Sequence, residues 1–320
     1  MSNLTDGNLA VDVSDLKRCF RGKAALQGVN LKIPRGTIQG LVGLNGAGKT
    51  TLIRHLIGSL RAESGSVRVL GHDPVQEPEG VLKQIGYMTE EDSLPKWMRV
   101  GELIHFCRSV YRTWDDRYAR ELSEMFSLSK NTKLSGLSKG QRARVGLLVA
   151  IAHRPLLLIL DEPSSGLDPI ARSDILEAVI RTISDDGRTV LFSSHLLDEV
   201  DRVCDHIALL HNGRIIDALR PEDRDHRYSE LTYLAAESWN PPNTETVDTQ
   251  WQGCFGWRRS GKEWTTVLSG ADHQSPPTFE DAKLIGQGPV SLQRWFEASV
   301  THHPSSTVNH VQETNEAADG

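Results

Sequence analysis

The segment TIQGLV (37–42) reads as a strand, and it runs through GLNGAGKT (43–50) into TLIRHLIGSL (51–60), which has helical spacing of its apolar residues. The eight central residues fit G-x-x-x-x-G-K-T. In that pattern backbone N–H groups wrap phosphates, the lysine (Lys49) reaches the β and γ phosphates, and the hydroxyl of Thr50 ligates Mg²⁺. Strand, glycine loop and helix in this order open an α/β unit, so the chain is expected to carry a largely parallel sheet.

Two further runs fit the same sheet. LLLIL (156–160) and TVLF (189–192) are short, apolar or β-branched, and bounded by turn residues, as parallel strands buried on both faces are. The first continues into DEP, which puts Asp161 and Glu162 at the carboxyl end of a strand, the edge where open α/β sheets bind ligands. Asp161 is thereby placed for a Mg²⁺ shell and Glu162 to orient or deprotonate water. His195 ends the second run; taken alone, a histidine there fits a core or capping role as readily as a catalytic one.

LSGLSKGQRARVGLLVAIAHRP (134–155) holds a serine-glycine turn before a helical stripe of Val145, Leu148, Val149 and Ala152. Ser138 with Gln141 three residues on forms a capping box, so the turn starts a helix and offers unpaired N–H groups to an anion. Upstream, Leu9, Val11 and Val13 and then Val29, Leu31 and Ile33 alternate as two antiparallel strands. Residues 100–128 turn helical, with Leu103, Phe106, Cys107 and Val110 on one face and Tyr118, Leu122, Met125 and Phe126 on another. IALLHNGRII (207–216) reads as a hairpin at Asn212 and Gly213. Beyond about residue 225 the texture changes: Trp239, Trp251, Trp257 and Trp264 cluster, and WRRSGKEW suggests a hairpin turning at Ser260 and Gly261.

A net charge of −6 over 320 residues gives no global pull toward nucleic acid. Cys19, Cys107, Cys204 and Cys254 match no zinc or redox spacing, which suits a reduced compartment. No apolar run is long enough to span a bilayer, and the N-terminus lacks the basic and apolar regions of a signal peptide, so none is expected. Residues 301–320 carry no aromatic and no Lys or Arg, and a disordered tail is expected.

Taken together, GLNGAGKTT, LSKGQ, LLLILDEPSSGLD and SSHLLDEV resemble, in order and separation, the ATP-binding subunit of ABC transporters, over roughly residues 9–225. The resemblance implies an α/β fold: a P-loop NTPase core of ABC ATPase type with an N-terminal antiparallel β subdomain and a helical subdomain (about 95–150). A small C-terminal β-rich module (226–300) follows. It implies ATP and Mg²⁺ as ligands and an ATP sandwich dimer, in which the Ser138 turn binds the γ-phosphate held by the opposite protomer's phosphate loop.

On that likeness Phe20 stacks on adenine, although it fits ordinary strand packing equally well. Gly43, Leu44, Asn45, Gly46, Ala47, Gly48, Lys49, Thr50 and Thr51 hold phosphates and metal. Ser138, Lys139, Gly140 and Gln141 form the signature turn, and Asp161 supports the metal. Glu162 is the catalytic carboxylate, His195 the γ-phosphate sensor, and Ser165 to Asp168 the loop that communicates across the dimer.

Two positions depart from the family pattern. Lys139 stands where a second glycine is usual; a lysine there adds positive charge near phosphate, so function is expected to persist. Glu90, in IGYMTEEDSLP, stands where a glutamine is usual; it can still ligate Mg²⁺ but adds a negative charge, so turnover is expected to be tuned.

A weaker likeness, in YRTWDDRYARELSEMF and PVSLQRWFEASV, points to exporters whose ATPase and permease are separate chains, with Trp97 to Tyr111 facing the permease. The expected partners are a membrane permease and a second ATP-binding subunit, a homodimer being permitted, at the inner face of the cell membrane, with no nucleic acid. Alternatives in other classes are a soluble ABC-type ATPase acting on ribosome or nucleic acid, and a low-turnover nucleotide-dependent regulator.

Overall fold

A computed structural model of the chain describes residues 8–90, 93–184, 187–241, 253–270 and 275–302. In chain order its first half runs β1 (Leu9–Phe20), β2 (Lys23–Pro34), β3 (Ile38–Val42), α1 (Lys49–Leu56), β4 (Ser64–Val69), α2 (Pro78–Leu82), β5 (Ile85–Met88), α3 (Val100–Val110), α4 (Asp116–Met125) and α5 (Lys139–Ile151). The second half runs β6 (Leu157–Asp161), α6 (Pro169–Ser184), β7 (Thr189–Ser194), α7 (Leu197–Val203), β8 (His206–His211), β9 (Arg214–Leu219), α8 (Arg224–Arg227), β10 (Tyr228–Ala235), β11 (Cys254–Ser260), β12 (Glu263–Ser269), β13 (Ala282–Pro289) and α9 (Leu292–His302).

The central sheet has the order β5-β6-β7-β3-β8-β9, parallel from β5 to β8 and closed by antiparallel β9. Period-two alternation splits its side chains between two cores. Val42, Leu158, Leu160, Val190 and Phe192 face a core shared with α5 and α6. Leu41, Leu157, Ile159 and Leu191 face a core shared with α1 and the antiparallel sheet β2-β1-β4. At roughly 25 cal/mol per Å² of apolar surface removed from water, these two cores are the chief stabilising contribution, and they fix the strand register. The register holds the β3, β6 and β7 carboxyl ends side by side, which is where the site forms.

The Asn212–Gly213 hairpin is present between β8 and β9, with both residues at positive φ as a type I′ turn requires. Two expectations need correction. Phe106 and Val110 do not share the buried face of α3: Val100, Leu103 and Cys107 pack inward, while Phe106 and Val110 are 55% and 57% exposed, one row around the helix. The β11–β12 hairpin pairs Ser260 with Glu263, so its two-residue turn is Gly261–Lys262, one residue later than expected, with the positive φ at Gly261.

The last four strands form an antiparallel sheet, β11-β12-β10-β13, covered on one face by α9. Trp295 of α9 is fully buried, and its Nε1 donates to Asp217 of β9 at 3.0 Å. Trp251 and residues 303–320 of the expected tail lie outside the described residues, and Thr301 and His302 close α9. Among the described residues no helix is long and apolar enough to cross a membrane.

Candidate active site

The phosphate loop leaves the end of β3 and closes on the first turn of α1. Space around it is so tight that a Cβ at Gly43 would stand 2.3 Å from the Leu210 carbonyl oxygen on β8. Gly48, at φ 112°, lies 2.8 Å by the same measure from the carbonyl oxygen of Ala25. Only glycine fits both positions, which is the physical content of the motif's spacing. Lys49 opens α1 almost buried, and its Nζ donates to the Gly43 carbonyl at 2.7 Å, folding the side chain back across the loop. The loop mouth is a cleft of about 260 Å³ whose walls include Leu44, Asn45, Gly46, Thr50 and Thr51, together with Glu90 and Glu162 from other elements.

Asp161 and Glu162 leave β6 at this edge. Asp161 is 1% exposed, and its Oδ1 accepts from Ser193 Oγ at 2.8 Å. Glu162 takes a left-handed φ of 51°, unusual for a residue with a side chain, and its backbone N–H is held by Ser193 Oγ at 3.0 Å. That turn sends its carboxylate between the Lys49 ammonium and the His195 ring. Oε2 lies 2.6 Å from His195 Nδ1, and Oε1 lies 3.0 Å from Lys49 Nζ. The lysine contact is an ion pair by distance alone: Oε1 is buried and no N–H is aligned on it, so it keeps an unused acceptor facing the loop.

Glu90 is exposed at the end of β5, and its Oε1 accepts from Ser165 Oγ at 3.3 Å. Thr50 and Glu90 both line the cleft and offer oxygen donors of the kind Mg²⁺ takes, whereas Asp161 is not among its walls. No group of three metal-ligating side chains converges among the described residues. Mg²⁺ characteristically takes one or two carboxylates and fills its remaining positions with phosphate oxygens and water, so this donor set fits a metal shared with a nucleotide.

The signature turn is built as its capping box requires. Ser138 Oγ accepts from Gln141 N–H at 3.2 Å, and Gln141 Oε1 accepts from Ser138 N–H at 3.0 Å, at the start of α5. Lys139 is the first helical residue and does not have a positive φ, so the backbone there needs no glycine. Its Nζ rests 2.7 Å from where a Cβ on Gly166 would sit. Gly140 does need to be glycine: a Cβ would stand 2.9 Å from Ala171 Cβ and 3.3 Å from Asp168 Oδ2. Asp168 caps α6 by accepting from the N–H groups of Ile170 and Ala171, and the Ala171 bond chiefly holds its pKa below the usual carboxylate range.

The structure thus gathers Lys49, Thr50, Thr51, Glu90 and Glu162 at one cleft, with His195 bonded to Glu162 and Asp161 linked to it through Ser193. It does not bring in Ser138 or Gln141, which line no part of the cleft. Phe20 stands at the end of β1, 40% exposed, with the Arg18 guanidinium 4.8 Å from its ring centre. Sequence reasoning missed Ser193, which holds both acids; the SSH tripeptide at the end of β7 was the available signal. It also missed Ser164 and Glu199, joined by a short buried hydrogen bond of 2.5 Å.

Comparison with known proteins agrees with this geometry. The ABC transporter family model matches residues 26–165. The chain is 36% identical to the daunorubicin/doxorubicin resistance ATP-binding protein DrrA of Streptomyces peucetius, over 66% of each chain. It is 32% identical to the ABC transporter ATP-binding protein NatA of Bacillus subtilis, over 70% of this chain and 96% of that one. Against one longer relative it spans 31% of the length. A solved structure of an ATP-binding subunit of an ABC transporter superposes with a TM-score of 0.63 at 30% identity, covering 67% of this chain and 91% of that one. A phosphate loop, strand-end acids and a histidine assembled at one sheet edge, and matched along nearly all of NatA, place the chain among the ATP-binding subunits of ABC transporters, a family of ATPases.

Proposed function

We propose that the chain binds and hydrolyses MgATP as one half of a sandwich dimer and powers a separate membrane permease, in the direction of export. The observation that carries this reading is the carboxylate of Glu162, held between Lys49 and His195 at the mouth of the phosphate loop. Lysine at 3.0 Å and histidine at 2.6 Å flank the acid. A γ-phosphate competes for both side chains, which frees the carboxylate to orient an attacking water and accept its proton. The Ser138 turn presents a capped helix N-terminus outside its own chain's phosphate-loop cleft, which supports a second protomer as its partner. Thr50, Asp161 and Glu90 are the residues that would hold Mg²⁺, which neutralises phosphate charge when bound.

Export rests on the likeness to DrrA, whose name assigns it to drug resistance. Permease docking is supported by Trp97, Phe106 and Val110, which stand exposed at and near α3. Steady-state phosphate release tests the reading. Wild type is expected to turn over, and Glu162→Gln to lose turnover while retaining ATP binding; hydrolysis that survives Glu162→Gln overturns it. Capture of the Glu162→Gln chain from solubilised membranes with MgATP is expected to bring down a multi-spanning permease, and recovery with ribosomal proteins instead would contradict it.

A further inference from the structure

Two segments of the site are joined twice, and only one of the joints faces the nucleotide cleft. The first joint is the His195–Glu162 contact, made by a histidine side chain that is 42% exposed. The second lies behind it. Glu199, in the first turn of α7, is 5% exposed, and its Oε2 accepts from Ser164 Oγ at 2.5 Å. Its Oε1 stands 3.1 Å from Arg172 Nε on α6, close enough to compensate charge although no N–H is aligned on it.

Ser164 and Arg172 both belong to the stretch that crosses from the catalytic acid to α6. The Ser164 carbonyl accepts from Leu167 N–H at 3.2 Å, and Arg172 N–H is bonded to the Asp168 carbonyl at 3.0 Å. One buried carboxylate therefore holds both ends of the 164–168 loop, and it does so from the helix that follows His195.

We infer that Glu199 is a positioning residue that ties the helix behind His195 to the 164–168 loop, so that movement of the histidine and movement of the loop occur together. When a γ-phosphate draws His195 away from Glu162, the exposed joint opens while the buried one persists. The displacement of α7 is then passed to Ser164, Ser165 and Asp168. A buried carboxylate is costly to leave without its partners, which makes the link stiff: removing one side leaves the other unsatisfied. Burial raises the Glu199 pKa, with the Ser164 hydroxyl and Arg172 opposing the rise.

This inference rests on the ATPase reading above, and the experiment separates the two. Wild type, Glu199→Ala, Glu199→Gln, Ser164→Ala and the Ser164→Ala/Glu199→Ala double variant are compared for ATP binding, kcat, KM and thermal midpoint. The expected result is a fall in kcat of about tenfold or more for Glu199→Ala and for Ser164→Ala, with KM and ATP affinity changed much less. The double variant is expected to be no worse than Glu199→Ala alone, and Glu199→Gln, which keeps an acceptor for Ser164, to recover part of the rate.

If Glu199→Ala does not fold, Ser164→Ala carries the test, since it removes one hydroxyl. Unchanged kcat in folded variants overturns the inference, as does a loss of rate that only follows the fraction unfolded, or independent effects in the double variant. A wild-type chain without turnover would instead overturn the ATPase reading itself.

Discussion

At the scale of single residues, the two departures from the family pattern behave differently. Lys139 sits at a helix start with no backbone strain, so a glycine is not needed there; Gly140 is the position that packing restricts. Gly140→Ala is expected to destabilise the chain. Overpacking against Ala171 costs about 1–3 kcal/mol, while replacing a helical glycine returns about 1 kcal/mol. A net loss of about 1 kcal/mol in chemical denaturation, with a larger effect on turnover, would bear this out.

Glu90 is exposed and bonded to Ser165 rather than buried against the loop. Glu90→Gln is therefore expected to leave stability within about 0.5 kcal/mol and to change the Mg²⁺ concentration that half-saturates turnover. Identical Mg²⁺ profiles would exclude a role for the charge. The motif residues were legible because they sit at fixed short spacings, Gly43, Gly48 and Lys49 in one loop and Ser138 and Gln141 in one cap, although the packing that demands the two glycines comes from Leu210 and Ala25 on other strands. The pairing of Lys49 with Glu162 and of Ser164 with Glu199 was not, since each joins separate elements whose meeting is decided by strand order.

At the scale of elements, helical periodicity located α3 but not its outward face. The row Leu103–Cys107 and the row Phe106–Val110 are equally apolar, and only the neighbouring helices decide which one is covered. The exposed row, with Trp97 at 77% exposure, is where the permease is proposed to dock. Replacing Trp97 and Phe106 by alanine is expected to leave the isolated chain's stability within about 1 kcal/mol and its basal ATP binding unchanged. Co-purification with the permease is expected to fall sharply. A marked drop in the denaturation midpoint would instead assign these side chains to the core. The one-residue shift of the β11–β12 turn has a similar origin: both Ser260-Gly261 and Gly261-Lys262 place a glycine in the turn, and cross-strand pairing of Ser260 with Glu263 selects the second.

At the scale of the whole molecule, the last sheet is fastened to the ATPase core through Asp217. Its carboxylate accepts from Tyr228 Oη at 2.6 Å, Trp295 Nε1 at 3.0 Å and Arg227 Nη2 at 3.0 Å. Sequence patterning showed strands here but could not show this junction, whose members lie on β9, α8, β10 and α9. Burial, with Asp217 second, pushes the Tyr228 pKa up to about 12. The neutral phenol is the form that the fold favours. Its contribution is therefore complete below the unfolded value of about 10 and is lost as pH rises through about 12. A difference titration of wild type against Tyr228→Phe is expected to show that late phenol, and Asp217→Asn to lower its midpoint; a midpoint near 10 in wild type would contradict the junction. ATP-driven dimerisation as proposed requires that nucleotide be shared between the phosphate loop of one chain and the Ser138 turn of another. The most direct test is the molar mass of Glu162→Gln in solution with MgATP, alone and combined with Ser138→Arg. The expected result is an ATP-dependent dimer that Ser138→Arg abolishes without loss of nucleotide binding. A chain that binds MgATP and stays monomeric, or a dimer indifferent to Ser138→Arg, would contradict it.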